Sequence, residues 1–476
     1  MVESRSKRTT DDMFILATDK DSIKPDASAR QLIRRHVMKD KNRKAVPRRL
    51  RCGSWINHER GDQDPAMRLE VGKDLVPQTE RSSRALSPLT KIDLNLFLLN
   101  MSVYKPPCTL EMMCRFLMVM QRTMYPPAIH ATLIPQDNSW MEDLEHDPLY
   151  ADTIIETSQT YFHVFQHRVL KPDALRHMNR ALVHLQGKLG EASPVITDSI
   201  IFLVLALGML MEELGDFETA RKHILGLHQL IKFRGGMKAL GEKRALQIKC
   251  CRLDLRFAMK TGSKPLFFNE GNMSQMPYFN SLRSQSAKPM HDLCDPVDHR
   301  LSNVWNDLEE LTLEINLAHQ TGRYLSPHVF QEILISAQYR LQTLEFAPCS
   351  LHEVFRVTLI AFSATMFISC QDASAHYGCI AMGLRQALLK LDTLQEDDRQ
   401  LRLSLWVIMI ARVSVLGHSS ETVGLQNRLL KVIKALRLTS WHETRQVLKG
   451  FLWVNLAHDQ SAKSFVDGAL NSVANA

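Results

Sequence analysis

None of the chain's nine cysteines, Cys52, Cys108, Cys114, Cys250, Cys251, Cys294, Cys349, Cys370 and Cys379, forms a C-x2-C pair with another. Structural zinc needs four converging ligands that short cysteine spacings usually supply, so no local zinc site is expected. An odd, scattered set in mostly apolar surroundings also argues against a disulfide framework and suits a reducing compartment with free core thiols. Long apolar runs are missing as well. The longest, Ile200 to Met211, holds twelve residues between Asp198 and Glu212, short of the roughly 20 that a membrane-spanning helix requires. It reads as a buried core helix, and no membrane partner is expected. The opening MVESRSKRTTDD has mixed charge and lacks the apolar core of a secretory signal, so export is not expected. Strand-like alternation is scarce throughout.

Catalytic motifs each lack a necessary part. Gly417-His418-Ser419-Ser420-Glu421 approaches a nucleophile elbow, but Glu421 stands where a second glycine relieves the sharp turn. Gly262-Ser263-Lys264 has the end of a phosphate loop without its first glycine or a buried strand to feed it. His163 and His167 lie four apart on one helical face, yet Val164 replaces the glutamate of a zinc protease helix. The loop from His291 to His299 gathers two histidines, Cys294 and three aspartates, a set able to bind a transition metal and equally natural in a solvated loop. Glu212 and Glu213, as helical neighbours, point about 100° apart and read as helix-end charge rather than a catalytic pair. No catalytic residue, metal or cofactor is assigned, and an enzyme is not expected.

What the chain does have is charge gathered at one end. Its formal net charge is +8, yet residues 1–60 hold 16 Lys or Arg against 8 Asp or Glu, and the remaining residues hold 43 of each. The whole excess therefore belongs to an N-terminal arm. Within it, Arg30, Arg34, Arg35, Lys39, Lys41, Arg43, Lys44, Arg48, Arg49 and Arg51 face Asp40 alone. Ala29, Leu32, Ile33, His36 and Val37 mark a narrow apolar stripe, so a short basic helix is expected before Pro47. Such a run serves as a nuclear import signal, as a phosphate-binding arm, or as a solvated or partner-binding face. On DNA, point charges on phosphate would bind without reading bases.

Residues 61–90, with Pro65, Pro77 and Pro88, read as a linker. From there the spacing predicts helices near Leu94–Met101, Leu110–Met120, Leu149–Val169, Pro172–Leu189, Thr197–Leu214, Phe217–Phe233 and Lys238–Thr261. An irregular loop is expected over 262–296. Helices resume over Val297–Gln320, His328–Leu344, Leu351–Ser369, Tyr377–Leu391, Arg399–Leu416, Gly424–Ala435 and Trp441–Leu456. The expected fold class is all-α: one large helical domain over 91–476 behind a basic arm over 1–60.

The stretch GDFETARKHILGLHQLIKFRGGMKAL, Gly215 to Leu240, is the most specific. Ala220, Ile224, Leu227 and Ile231 recur at steps of four, three and four, with Leu230 beside them. Lys232 and Arg234 supply cations to the last turn, and Gly235-Gly236 offer the left-handed stop. The wording His223, Gly226-Leu227, Leu230-Ile231, Arg234-Gly235-Gly236 resembles the helical regulatory domain of fungus-specific transcription factors. LQIKCCRLDLRFAMKTGSKP, Leu246 to Pro265, is similar to that family's next helix. Tyr339-Arg340-Leu341, Glu353 to Phe362, Leu405-Trp406, Ser440-Trp441 and Phe451-Leu452-Trp453 match its later ones.

The resemblance implies a nuclear transcription regulator, working with other regulators as partners in homodimers or heterodimers and controlling a gene set such as a secondary-metabolite cluster. It implies no catalytic residues. Trp406, Trp441 and Trp453 are expected to fill space between packed helices. One departure stands out: many family members begin with a six-cysteine zinc cluster, whereas this chain has Cys52 alone before Cys108. Sequence-specific DNA reading therefore does not follow. A helical scaffold or co-regulator without DNA binding is the alternative.

Overall fold

A computed structural model describes residues 148–167, 172–190, 195–241, 243–268, 288–367, 377–393, 397–417 and 422–474, with single positions between 112 and 129. The basic arm, the 61–90 linker and the helix expected at Leu94–Met101 lie outside the described residues. Of the helix expected at Leu110–Met120, Met112, Met113, Arg115 and Phe116 are described, and all are helical.

The described residues form an all-α architecture without strands. The helices are α1 (Pro148–His167), α2 (Pro172–Leu189), α3 (Asp198–Glu213), α4 (Phe217–Phe233), α5 (Arg244–Thr261), the one-turn α6 (Lys288–His291) and α7 (His299–Thr321). They continue as α8 (Pro327–Thr343), α9 (Leu351–Phe367), α10 (Gly378–Asp392), α11 (Asp398–Val413), α12 (Thr422–Ala435), α13 (Trp441–Leu448) and α14 (Asn455–Ala474). Sequence neighbours pair as helical hairpins, α1 with α2, α3 with α4, α7 with α8 and α11 with α12, while α5 packs across α3, α8 and α10.

Local chemistry sets the ends. The Thr197 hydroxyl accepts from the Ile200 N–H at 3.3 Å to open α3, and Asp216 accepts from Thr219 at 3.0 Å to open α4. Ser326 precedes Pro327 at the first position of α8, where a missing N–H costs nothing. At the end of α4, Gly235 and Gly236 have φ of +108° and +88°. Gly235 N–H donates to Lys232 O at 3.1 Å and Gly236 N–H to Ile231 O at 2.8 Å. These are the two bonds of the left-handed helix stop that the paired glycines predict.

Helix α3 buries thirteen of its sixteen residues, as the apolar run requires, and no described helix is long and apolar enough to cross a membrane. α9 buries thirteen of its seventeen residues and α8 eleven of seventeen, while α11 buries eight of sixteen, all between Leu403 and Ala411. Helices buried nearly all round form the centre of a large domain, and amphipathic α2 and α4 cover it.

Three expectations need correction. The span Lys238–Thr261 is a 3-10 turn, Met237–Leu240, followed by α5, because the Gln247 amide donates to Met237 O at 3.2 Å and holds the turn off the helix. The 262–296 segment is not irregular throughout, since α6 lies within it. The span Trp441–Leu456 breaks after Leu448, and an unexpected helix, α14, runs on to Ala474. At the break, distant side chains take the backbone groups that a continuous helix would use. Trp406 Nε1 donates to Leu452 O at 3.0 Å, Asn316 Nδ2 to Trp453 O at 2.9 Å, and Asn455 N–H to Asn316 Oδ1 at 2.9 Å.

Candidate functional site

Helix α5 is apolar on several sides, with Cys250, Cys251, Leu253, Leu255, Phe257, Ala258 and Met259 all buried. Its charged residues are drawn inside with them. Arg252, Arg256 and Lys260 recur every four residues along one face. Opposite them, the Glu212 side chain is fully buried, with Oε1 3.0 Å from Lys260 Nζ and 3.3 Å from Arg256 Nε. Glu213, half exposed, accepts from Arg256 Nη2 at 2.6 Å.

The two glutamates diverge on their helix, yet one guanidinium spans both. They are therefore not simple helix-end charge, as their position suggested. Burial works against the charge on Arg256, but Glu212 and Glu213 outweigh it and hold its pKa above the usual range. Tyr377, at the start of α10, closes the cluster. Burial pushes its phenol up, with Arg256 opposing.

Arg252 is also buried, and no carboxylate among the described residues pairs with it. Nη1 donates to Gln331 Oε1 at 2.6 Å, Nη2 to Phe367 O at 2.7 Å, and its guanidinium carbon lies 4.3 Å from the Phe367 ring centroid. Phe367 is the last described residue of α9, and its carbonyl serves where a carboxylate would. Burial, then Arg256, lowers the pKa of Arg252 to about 10, leaving it charged at neutral pH.

Asp254 faces away from these cations. Its carboxylate accepts from Leu266 N–H at 2.9 Å, Phe267 N–H at 2.9 Å and Tyr339 Oη at 3.0 Å. Burial raises its pKa and those donors oppose the rise. The result is a clasp: charged and polar groups on α5 lock α3, α8, the end of α9, the start of α10 and the 262–268 turn together. Glu212 is held by ion-pair proximity alone, since neither of its oxygens nor Arg256 Nε completes a hydrogen bond among the described residues; a structural lock is what this arrangement provides chemically.

A second interior cluster is aromatic. Trp406 stacks on Phe451 at 5.3 Å, Trp305 meets Trp406 edge-on at 5.5 Å, and Phe355 packs on Trp305 at 5.9 Å. Trp453 donates to Asp459 at 2.8 Å and lies 4.9 Å from the buried His458 ring. His458 Nδ1 accepts from Val454 N–H at 3.3 Å and Nε2 meets Thr365 Oγ1 at 2.8 Å. Burial lowers its pKa to about 3. Trp406 and Trp453 are fully enclosed and Trp441 packs against the core, so all three fill space as expected.

The remaining sequence candidates separate. The ten basic residues from Arg30 to Arg51 lie outside the described residues, as do the His163 and His167 side chains and residues 418–421. Gly262 closes α5, and Lys264 pairs with Glu345 on the surface at 2.7 Å. Asp298 caps α7 through Arg300 and Leu301 N–H, and Cys294 is a buried thiol whose pKa burial raises to about 11. Among the described residues no three His, Cys, Asp or Glu converge as metal ligands. The clasp itself was missed by sequence reasoning, although charged residues at i, i+4 and i+8 amid the apolar run from Cys250 to Met259 signal it. No protein-family model, curated protein or solved structure matches the chain.

Proposed function

We propose that the chain is a fungal-type nuclear transcription regulator. Its helical domain works through partner regulators, and its basic arm serves nuclear import and weak DNA contact. A secondary-metabolite gene cluster is the setting the resemblance favours. The observation that carries the reading is the segregation of charge. Ten cations between Arg30 and Arg51 stand ahead of a segment in which basic and acidic residues balance.

The resemblance gains support from where its residues lie. Arg252 and Asp254, from one motif, and Tyr339, from another, belong to one buried clasp, and Gly262 ends the helix that carries the first two. The second reading is a co-regulator that never touches DNA, favoured by the lack of a zinc cluster ahead of Cys108.

Replacing the ten arm cations with glutamine separates the two. If about six of them meet phosphates, the intact chain loses about 1,000-fold in DNA affinity between 50 and 200 mM salt, and the variant loses that dependence. Equal binding by both defeats the arm's contact with DNA, and no binding by either leaves the co-regulator reading. Exclusion of the tagged intact chain from nuclei, together with empty chromatin maps, defeats regulation altogether.

A further inference from the structure

We propose that the solvent face of α4 is a docking surface for an acidic, amphipathic segment of a partner protein. The inner stripe of α4, with Ala220, Ile224, Leu227, Leu230 and Ile231, is buried against the domain. The opposite face is not simply polar. Leu225 is 36% exposed and Phe233 77% exposed, and eight residues of separation brings both to the same side two turns apart.

Single exposed apolar residues are ordinary. Here their surroundings are specific. Arg221 and Lys222 sit one turn before Leu225, and Lys232 sits beside Phe233. Lys238 follows in the 3-10 turn. No ion pair joins any of these four cations to a carboxylate among the described residues, and the acids along this edge are Asp216, which caps α4, and Glu218. Arg234 is different, since Asp198 neutralises it. That pair also ties the start of α3 to the end of α4, placing Val195, 73% exposed, at the same end of the hairpin as Phe233.

Gly226 adds an independent sign. A glycine inside a helix costs about 1 kcal/mol relative to alanine, and packing usually explains one. At Gly226 an added Cβ would meet nothing within 4 Å, so nothing inside the domain requires the glycine. It leaves a shallow bare patch of backbone beside Lys222, Leu225 and Gln229, where another chain can approach closely. Unpaired cations around two apolar anchors favour an acidic occupant and oppose a second copy of the same basic face.

The proposal deepens the regulatory reading by naming the partner's chemistry and rests on that reading for its setting. Its test uses purified protein, so its failure is distinct from empty chromatin maps. The probe is a fluorescent 20-residue peptide with Leu and Phe at helical spacing among Asp and Glu, and the control carries Lys in place of every acid.

The intact chain should bind the acidic probe and not the control, with affinity falling as salt rises. The triple variant Arg221→Glu, Lys222→Glu, Lys232→Glu should weaken binding about tenfold or more, and Phe233→Ser by about fivefold. Both act on solvent-facing side chains, and an unchanged melting temperature verifies folding. Equal binding of the control overturns the proposal. So does binding that survives the triple variant but is lost when the Arg30–Arg51 cations are neutralised. A dimer of the intact chain that Phe233→Ser dissolves assigns the face to a second copy, and overturns it as well.

Discussion

The clasp around α5 and the aromatic nest around Trp406 are both buried, and they hold the domain by opposite means. In the clasp, Glu212 offsets Arg256 and Lys260, while Arg252 is held by Gln331 and the Phe367 carbonyl. In the nest, Trp305, Phe355, Trp406 and Phe451 need no charge; Trp406 Nε1 donates to Leu452 O, while Trp305 Nε1 meets no acceptor among the described residues. Removing one member of the first leaves unbalanced charge in a low dielectric. Removing one member of the second leaves a void. The two regions should therefore fail differently.

The largest effect is expected at the clasp. Glu212→Gln keeps the shape but strips Arg256 and Lys260 of their buried partner, at a cost of about 3–5 kcal/mol in urea unfolding. A triple replacement of Glu212, Arg256 and Lys260 by methionine should recover most of that loss, because the expensive element is the orphaned charge and not the missing pair. A cost below about 1 kcal/mol for Glu212→Gln would place the clasp on the same footing as a surface ion pair.

The nest should reveal itself through pH. His458 has a folded-state pKa of about 3, below the usual 6.5, because burial disfavours its charged form. Protonation therefore favours the unfolded chain. The stability this histidine contributes is complete above pH 6.5 and is lost as pH falls toward 3, by about 1.4 kcal/mol per pH unit. His223 in α4, lowered to about 4 by burial, acts in the same direction. Measured unfolding free energies should fall between pH 6.5 and 4, and His458→Leu should flatten the slope by close to one proton. An unchanged slope would mean that the ring is not held neutral in the fold.

These contrasts follow from what local sequence can and cannot carry. The bounds of α2 and α4 coincide with their expected spans because a proline start or an aspartate cap and a glycine stop are written within the segments themselves. The burial of α3 was equally legible from twelve apolar residues in a row. The break after Leu448 was not, since Trp406 and Asn316, which satisfy the freed backbone, lie on other helices. Helix α14 escaped notice because its buried apolar set, Ala462, Phe465, Val466 and Ala469, is small and its first buried residue is His458. The clasp residues were visible one at a time, as a glutamate pair and an Arg-x-Asp-Leu motif, but their meeting spans residues 212 to 377. Sequence spacing locates a charge on a helix; only the packing of helices tells whether it is solvated or sealed in.

The smallest effect concerns how the two regions close their helices. α5, the clasp helix, ends on Gly262 with φ of +73°, and Gly262 N–H donates to Ala258 O at 2.8 Å. Helix α12, which packs on the nest helix α11, ends on Arg437, the one non-glycine with positive φ among the described residues, at +54°. Arg437 N–H donates to Lys434 O at 3.2 Å and Leu438 N–H to Ile433 O at 3.0 Å, the same stop that glycines build at the end of α4. A side chain in that conformation costs about 1–2 kcal/mol, whereas glycine adopts it freely but gives back part of the gain through a looser unfolded chain. Arg437→Gly should therefore stabilise the domain by about 0.5–1 kcal/mol, read as a higher urea midpoint at unchanged slope. Gly262→Ala should do the reverse and more strongly, because its new methyl meets the left-handed penalty and also Cys379 Sγ at 3.0 Å. If Arg437→Gly instead destabilises, the guanidinium contributes more at that helix end than its backbone strain costs, and the nest side of the domain draws on charge as the clasp does.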